Sequence, residues 1–379
     1  MPESELKSEK PSKTNAWLGI AIPVAILSVF GVISLLSAGE IRGNAYSLVA
    51  KQAMWLGVAL CAGVFASLAP LNFWRKAAPF IAAAVFILLV LVLVPGIGKE
   101  VKGSRRWLQI GGFVIQPSDM AKAAIVLWLS AYLQRFQRSI KTFWKGVVAP
   151  SILIALFVAP IVKEPDFGTT ALCGAVAFSM LFMAGVKVRH VAPFIAAGTA
   201  AVAVLVALNP NRMTRLFSFL HREEEALGGG YQLTQAIYAF GAGGALGVGL
   251  GEGRQQYSFL PEAHTDFIFA NIAEEWGLAG TISVLALFFI IFLTAASALK
   301  KAPNMFEFCM CLGALLMITI QALFNMGVVT GLLPTKGISL PFLSYGGSNL
   351  VVMFFFSGIL INCIRSWSAP KQIKVTDYE

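Results

Sequence analysis

The sequence predicts an all-α polytopic membrane protein with about ten transmembrane helices and a large extracytoplasmic loop between the seventh and eighth. Three observations carry this. Hydrophobic residues make up 57% of the chain and charged residues only 13%, about half the charged share of a soluble domain. Apolar runs recur along the whole length, each near the roughly 20 residues a helix needs to cross a bilayer. One stretch between them, 209–266, is too long for an idle connection and must carry function or structure of its own.

In order, the predicted spans are 17–36, 52–71, 77–94, 118–133, 147–162, 169–184, 191–208, 267–299, 306–333 and 347–367. The first run is longer than a signal-peptide core. Although Ser37-Ala38-Gly39 has the small residues of a cleavage site, it reads as an uncleaved span. With no internal repeat and no linker, the expected organisation is a tail at 1–16, one membrane domain at 17–367 and a second tail at 368–379.

An even number of spans puts both termini on one side, and the basic residues identify it as cytoplasmic. Lys7, Lys10 and Lys13, then Arg75, Lys76, Arg135, Arg138, Lys141, Lys145, Lys187, Arg189, Lys300 and Lys301, and finally Arg365, Lys371 and Lys374 all fall there. Most carboxylates fall opposite: Glu40, Glu100, Asp119, Glu164, Asp166, Glu223 to Glu225, Glu252, Glu262 and Asp266. Any carboxylate chemistry is therefore expected outside the cytoplasm.

The net charge of +10 does not point to nucleic acid, because the cations are dispersed over short loops instead of gathered on one soluble face. Cys61, Cys173, Cys309, Cys311 and Cys363 all lie in apolar spans and read as buried, inert thiols. His190, His221 and His264 are too scattered for a zinc site.

Within 209–266, the segment 231–240 has helical spacing and suits a helix at or dipping into the outer interface. Seven glycines follow in 241–253. Without a preceding strand they do not form a dinucleotide-binding turn, and they read as flexible backbone close to a ligand or a neighbouring helix.

Chemistry concentrates in three clusters. The first is Phe259-Leu-Pro-Glu-Ala-His-Thr-Asp-Phe-Ile-Phe269, which sets Glu262 and Asp266 at the mouth of a long apolar helix. An unbroken helix over 267–299 would be about 50 Å long at 1.5 Å per residue, against roughly 30 Å of hydrocarbon, so it must project or bend. Gly277 and Gly280 are the candidate bend or close-packing points. Glu274 and Glu275 just before them should meet protein or water, not lipid. On spacing alone, Asp266 suits a helix cap and a catalytic carboxylate equally.

The second cluster is Gly103-Ser-Arg-Arg-Trp-Leu108 with Gln116-Pro-Ser-Asp-Met-Ala-Lys122. Arg105 and Arg106 offer paired donors for phosphate oxygens, and beside Trp107 they also read, more plainly, as interfacial anchors. Lys122 lies one turn inside an apolar helix and can pair with Asp119, either structurally or facing a substrate. The third, Leu333-Pro-Thr-Lys-Gly-Ile-Ser-Leu-Pro-Phe-Leu-Ser-Tyr-Gly-Gly-Ser348, surrounds Lys336 with rigid and permissive backbone that could line a cavity.

These clusters, together with Pro165-Asp-Phe-Gly-Thr169 and Gly230-Tyr-Gln232, resemble the SEDS family of shape, elongation, division and sporulation proteins over nearly the whole chain. Pro334-Thr-Lys-Gly337 and His264-Thr265 look more like its division branch than its elongation branch. The resemblance implies a peptidoglycan glycosyltransferase that polymerises lipid II at the septum, in the bacterial inner membrane, with a class B penicillin-binding protein and other division proteins. It matches Asp266 to the family's essential aspartate, Asp119 and Lys122 to its acid and lysine pair, and Gln232 to a supporting position. The chain departs in having Asp119 where glutamate is usual and Glu164 where glutamine is common.

With that implication, Asp266 is expected to act as general base on the acceptor hydroxyl in an inverting displacement. Arg105, Arg106 and Lys336, with a divalent cation such as Mg2+ or Mn2+, would meet the polyprenyl diphosphate, and Glu262 is the reserve base or metal ligand. The rivals are a lipid II flippase or transporter, a scaffold for a synthase, and an elongation-type or other polyprenyl-linked sugar polymerase.

Overall fold

The computed structural model describes residues 15–40, 45–101, 103–208, 213–214, 217, 219, 230–254, 264–335 and 337–368. Among them are α1 (Leu18–Glu40), α2 (Ala45–Leu68), α3 (Leu71–Leu93), α4 (Pro117–Arg135), α5 (Ala149–Lys163), α6 (Phe167–Met183) and α7 (Val188–Ala207). They continue with α8 (Tyr231–Gly243), α9 (Ile268–Leu299), α10 (Met305–Val329) and α11 (Gly347–Ser368).

Seven of these helices are long and apolar enough to cross a membrane: α1, α2, α3, α5 with the π turn Trp144–Val148 before it, α9, α10 and α11. α6 is apolar but shorter, and α4 carries Asp119, Lys122 and Arg135. Most of α10 and α11 is buried, so they form the centre, while α2 and α3 show much of their surface. Large apolar side chains such as Phe65, Phe80, Ile87 and Phe289 point outward. In water that surface would be a liability, whereas against acyl chains it is the required one. The chain is a multi-pass membrane protein.

Three expectations change. Pro70 occupies the N-cap of α3, where the helix has no N–H partner to lose, so α3 starts at Leu71 and not at 77. Arg75 and Lys76 thus lie in its first turns. The helical expectation holds for most of the chain and is corrected in the connection between α3 and α4, which forms a three-stranded antiparallel sheet: β1 (Gly98–Val101), β2 (Ser104–Ile110) and β3 (Phe113–Ile115). Ile110 pairs with Phe113 across Gly111-Gly112, and Gly111 takes φ +60°, a backbone that favours glycine. Cys61 is exposed, not buried; the other four cysteines are buried.

The long helix does bend, at Gly277, whose φ of 63° and ψ of −156° break α9. The carbonyls of Glu274 and Glu275 then lose the N–H groups of Leu278 and Ala279. The glycine-rich segment after α8 replaces them. Val248 and Gly249 donate N–H to Glu274 O (3.0 Å) and Glu275 O (3.2 Å), while Leu278 and Ala279 donate to Gly244 O (3.0 Å) and Ala245 O (3.2 Å). A Cβ at Gly247 would overlap the Glu275 carbonyl, and one at Gly277 would overlap the Gly247 nitrogen. The glycines therefore serve a neighbouring helix.

The same inserted segment takes the two carboxylates. Arg254 N–H donates to Glu274 Oε1 (2.7 Å), Gly251 N–H donates to Glu275 Oε1 (3.2 Å), and Ser37 Oγ of α1 also donates to Glu275. Both glutamates are buried in protein. α8 packs on α9 and α10 through Leu233, Ala236 and Ala239, so it is a protein-packed helix with one exposed side.

Candidate functional site

Asp266 lies in the turn that leads into α9, half-buried, one residue before the N-cap Phe267. Its backbone carbonyl accepts from Asn325 Nδ2 of α10 (2.7 Å), and the same amide donates to Ile338 O (2.7 Å). One buried side chain thus fixes the turn against the segment 333–346. Tyr345 N–H donates to His264 O at 3.0 Å, a second tie between the two. Gly337 flanks the carboxyl: a Cβ there would stand 2.8 Å from Asp266 Oδ2, closer than a side chain can come. Glycine at 337 leaves room for that carboxylate.

Behind this lies a polar network inside the helical core. Lys122 Nζ donates to Asp119 Oδ1 (2.8 Å), Gln321 Oε1 (3.0 Å) and Asn349 Oδ1 (3.0 Å), which uses all the hydrogens of an ammonium. Asp119 Oδ2 accepts from Ser348 Oγ (2.7 Å). Gln321 Nε2 donates in turn to Ser339 O (2.8 Å) and Asn349 Oδ1 (3.0 Å). The Lys122 side chain is 3% exposed, and its ammonium meets protein acceptors in this structure. It props the segment 333–348 from below while Asn325 ties that segment to Asp266.

The network continues outward. Gln116 Nε2 donates to Ser118 Oγ (2.9 Å) and Asp166 Oδ2 (3.2 Å), and Asp166 Oδ1 caps α6 by accepting from Thr169 N–H (3.0 Å). Arg106 Nε and Nη2 donate to the carbonyls of Glu164 (2.6 Å) and Pro165 (3.0 Å), stapling the sheet to the α5–α6 turn. Arg105 pairs with Glu100 across β1 and β2 at 3.0 Å, partly exposed, where a pair contributes about 0–1 kcal/mol. Gln232 is half-buried in the first turn of α8. Glu262 and Lys336 lie outside the described residues.

Glu164, just past the end of α5, is 1% exposed, and the Arg106 guanidinium and the Ser118 hydroxyl are the nearby groups that favour its charged form. Burial, reinforced by the nearby Asp166 carboxylate and opposed by the Arg106 guanidinium, pushes its pKa up to about 8. The folded protein keeps this proton where the unfolded chain has lost it. The associated stability is complete below the ordinary glutamate value of 4.5 and falls as pH rises toward 8. Thermal unfolding in detergent from pH 5 to 9 should show wild type losing stability across that window relative to Glu164→Gln, by roughly a few kcal/mol in all. Parallel curves for the two proteins would refute a protonated Glu164.

The spacing of Gln321 and Asn325, four apart in an apolar helix, was a signal of a buried polar face that the sequence reading did not use. Among the described residues no group of three or more His, Cys, Asp or Glu could hold a metal ion.

A half-buried carboxylate in the turn before α9, tied to the segment after α10 and linked through it to a buried lysine network, defines a polytopic membrane protein with a polar site built between its helices. The family model for FtsW, RodA and SpoVE, described as cell cycle proteins, matches residues 15–368. The chain belongs to this family.

Its relatives include the "Probable peptidoglycan glycosyltransferase FtsW" of Pseudomonas fluorescens (strain SBW25), 39% identical over 322 residues, 84% of this chain and 79% of that one. The "Stage V sporulation protein E" of Bacillus subtilis (strain 168) is 36% identical over 359 residues, 93% of this chain and 98% of that one. Among solved structures, a chain of a peptidoglycan synthase complex superposes with a TM-score of 0.76 at 27% identity, covering 92% of this chain and 97% of its own. The rod shape determining protein RodA of Thermus thermophilus gives 0.70 at 25% identity, with 93% and 98% covered.

Proposed function

We propose that the chain is a peptidoglycan glycosyltransferase that polymerises lipid II during cell division, with Asp266 as general base. The observation that carries this reading is the position of the half-buried Asp266 carboxyl beside Gly337, where the turn into α9 meets the segment tied to the lysine network and residue 337 sets no side chain against the carboxylate. In the reaction the acceptor hydroxyl gives its proton to Asp266 as its oxygen bonds to the anomeric carbon of the donor. The bond from that carbon to the polyprenyl diphosphate breaks, with inversion. Arg105, half-exposed beside Glu100, and Lys336 would meet the leaving diphosphate. Arg106 acts mainly by holding the turn at Glu164 and Pro165. Glu262 and a divalent cation borne by the diphosphate remain auxiliary parts of this proposal.

The proposal includes ten spans, the seven apolar helices with α4, α6 and α7, in one membrane domain at 17–367. Both termini are cytoplasmic, and 209–266 forms the large outer segment that contains α8. Basic residues at the helix ends on the side of the termini support this orientation. The working partner is a class B penicillin-binding protein; the complex in which a similar chain was solved is described as coordinating polymerisation and crosslinking. Fluorescent lipid II supplied to the purified protein, with and without its cognate penicillin-binding protein, should yield a ladder of glycan strands. Transfer of lipid II across vesicles with no glycan formed would instead establish a transporter.

A further inference from the structure

At the end of the bundle away from Asp266, α3, α4 and α5 leave a hollow of about 550 Å³. Arg75 from the first turns of α3 and Arg135 from the last turn of α4 line it, with Trp128, Tyr132 and Phe136 as an aromatic wall and Leu153 of α5 deeper in. The three rings step along α4 at four-residue spacing, with centroids 5.7 Å and 4.7 Å apart. Arg135 Cζ lies 5.7 Å from the centre of the Phe136 ring, and Lys145 Nζ lies 5.4 Å from the same ring. Tyr132 Oη donates to Lys145 O at 2.7 Å, which holds the start of α5 against this wall.

Three cations therefore gather around one aromatic wall, and among the described residues none of them has a carboxylate partner. The ion pairs among the described residues are Arg105 with Glu100 and Lys122 with Asp119, and neither is here. Glu307, a carboxylate at this end, accepts from Asn304 Nδ2 (2.9 Å) and Trp367 Nε1 (2.6 Å). Like charges held together with no anion between them repel, and a bound anion removes that cost. Guanidinium matches phosphate oxygens, aromatic rings suit the headgroup level of a bilayer, and the wall continues into apolar surface at Pro79 and Leu153. That sequence of chemistry, cations then rings then hydrocarbon, is the profile of a phospholipid read from headgroup to chain.

We propose that this hollow is a binding site for an anionic phospholipid. Arg75 and Arg135 take the phosphate oxygens, Lys145 contributes charge, and the α4 aromatic wall with Leu153 takes the first carbons of an acyl chain. The site does not depend on the identity of the catalytic base or on which side of the membrane it faces.

Native mass spectrometry of the full chain released from nanodiscs of equal phosphatidylglycerol and phosphatidylcholine should show phosphatidylglycerol adducts retained on wild type. Arg75→Gln with Arg135→Gln should weaken that retention roughly thirtyfold. Arg138→Gln with Lys141→Gln, two cations of the same end that do not line the hollow, should leave it within about twofold. Equal loss in both double variants would reduce the hollow to diffuse surface charge and overturn the site. Inorganic phosphate that displaces the lipid at equal concentration would overturn the lipid as ligand in favour of a free-phosphate site. Bromine-labelled phosphatidylglycerol should also quench Trp128, read as the difference between wild type and Trp128→Phe, with every cation left in place. No difference in quenching would overturn the placement of the chain against α4.

Discussion

Asp266→Asn is expected to fold as wild type does and to leave purified lipid II unpolymerised. The variant keeps the shape of the side chain, and the tie from Asn325 runs to the backbone carbonyl of residue 266, so the turn into α9 retains its bracing. Gly337 leaves the same space for an amide as for a carboxylate. What disappears is the ability to accept a proton, and a positioned general base contributes about 10²–10⁴ in rate. Activity should therefore fall below detection in a gel-resolved glycan assay, while the unfolding temperature moves by less than the scatter between preparations. Full polymerisation by the amide variant would leave Asp266 a structural residue and remove the base from the mechanism. A variant that neither folds nor reacts would assign the carboxylate to the turn instead.

The family-level outline was legible because membrane helices announce themselves by length and hydropathy, and because the three polar clusters stand out in a chain with little charge. A bend in α9 was legible from its length against the bilayer, with Gly277 and Gly280 as the candidate points, and the break falls at the first of them. What sheltered Glu274 and Glu275 was not legible. The exchange of hydrogen bonds between 244–249 and 274–279 pairs two backbones, and backbone pairing leaves only the glycines as a trace.

The small sheet has a trace in the sequence. Gly111-Gly112 between the runs 104–110 and 113–115 is a two-residue hairpin signal, although Arg105 and Arg106 give the second strand the charge of a loop. The assembly of the site was the hardest part. Ser348 reaches Asp119 across 229 positions and Lys122 reaches Gln321 across 199, and neither separation has any periodicity to betray it. Only the polar residues inside α10 hinted that its inner face had partners to satisfy.

Lys122→Met should be the most destabilising substitution in the core, by about 3–5 kcal/mol, because it removes one member of a buried ion pair and strands the other. Asp119 would keep only the Ser348 hydroxyl at Oδ2, and the side-chain oxygens of Gln321 and Asn349 would each lose a charged donor. The loss would reach the outer segment, since Gln321 carries Ser339 O and Asn349 sits in the first turn of α11. Removing the charge from both partners, as in Asp119→Asn with Lys122→Met, avoids the stranded carboxylate and should recover more than half of the stability. Unfolding by increasing sodium dodecyl sulfate in mixed micelles would measure both variants. A single variant within about 1 kcal/mol of wild type would mean that water or a lipid headgroup reaches Asp119 and replaces the ammonium. The network would then be a solvated cavity lining, and Lys122 would return to the candidates for touching substrate.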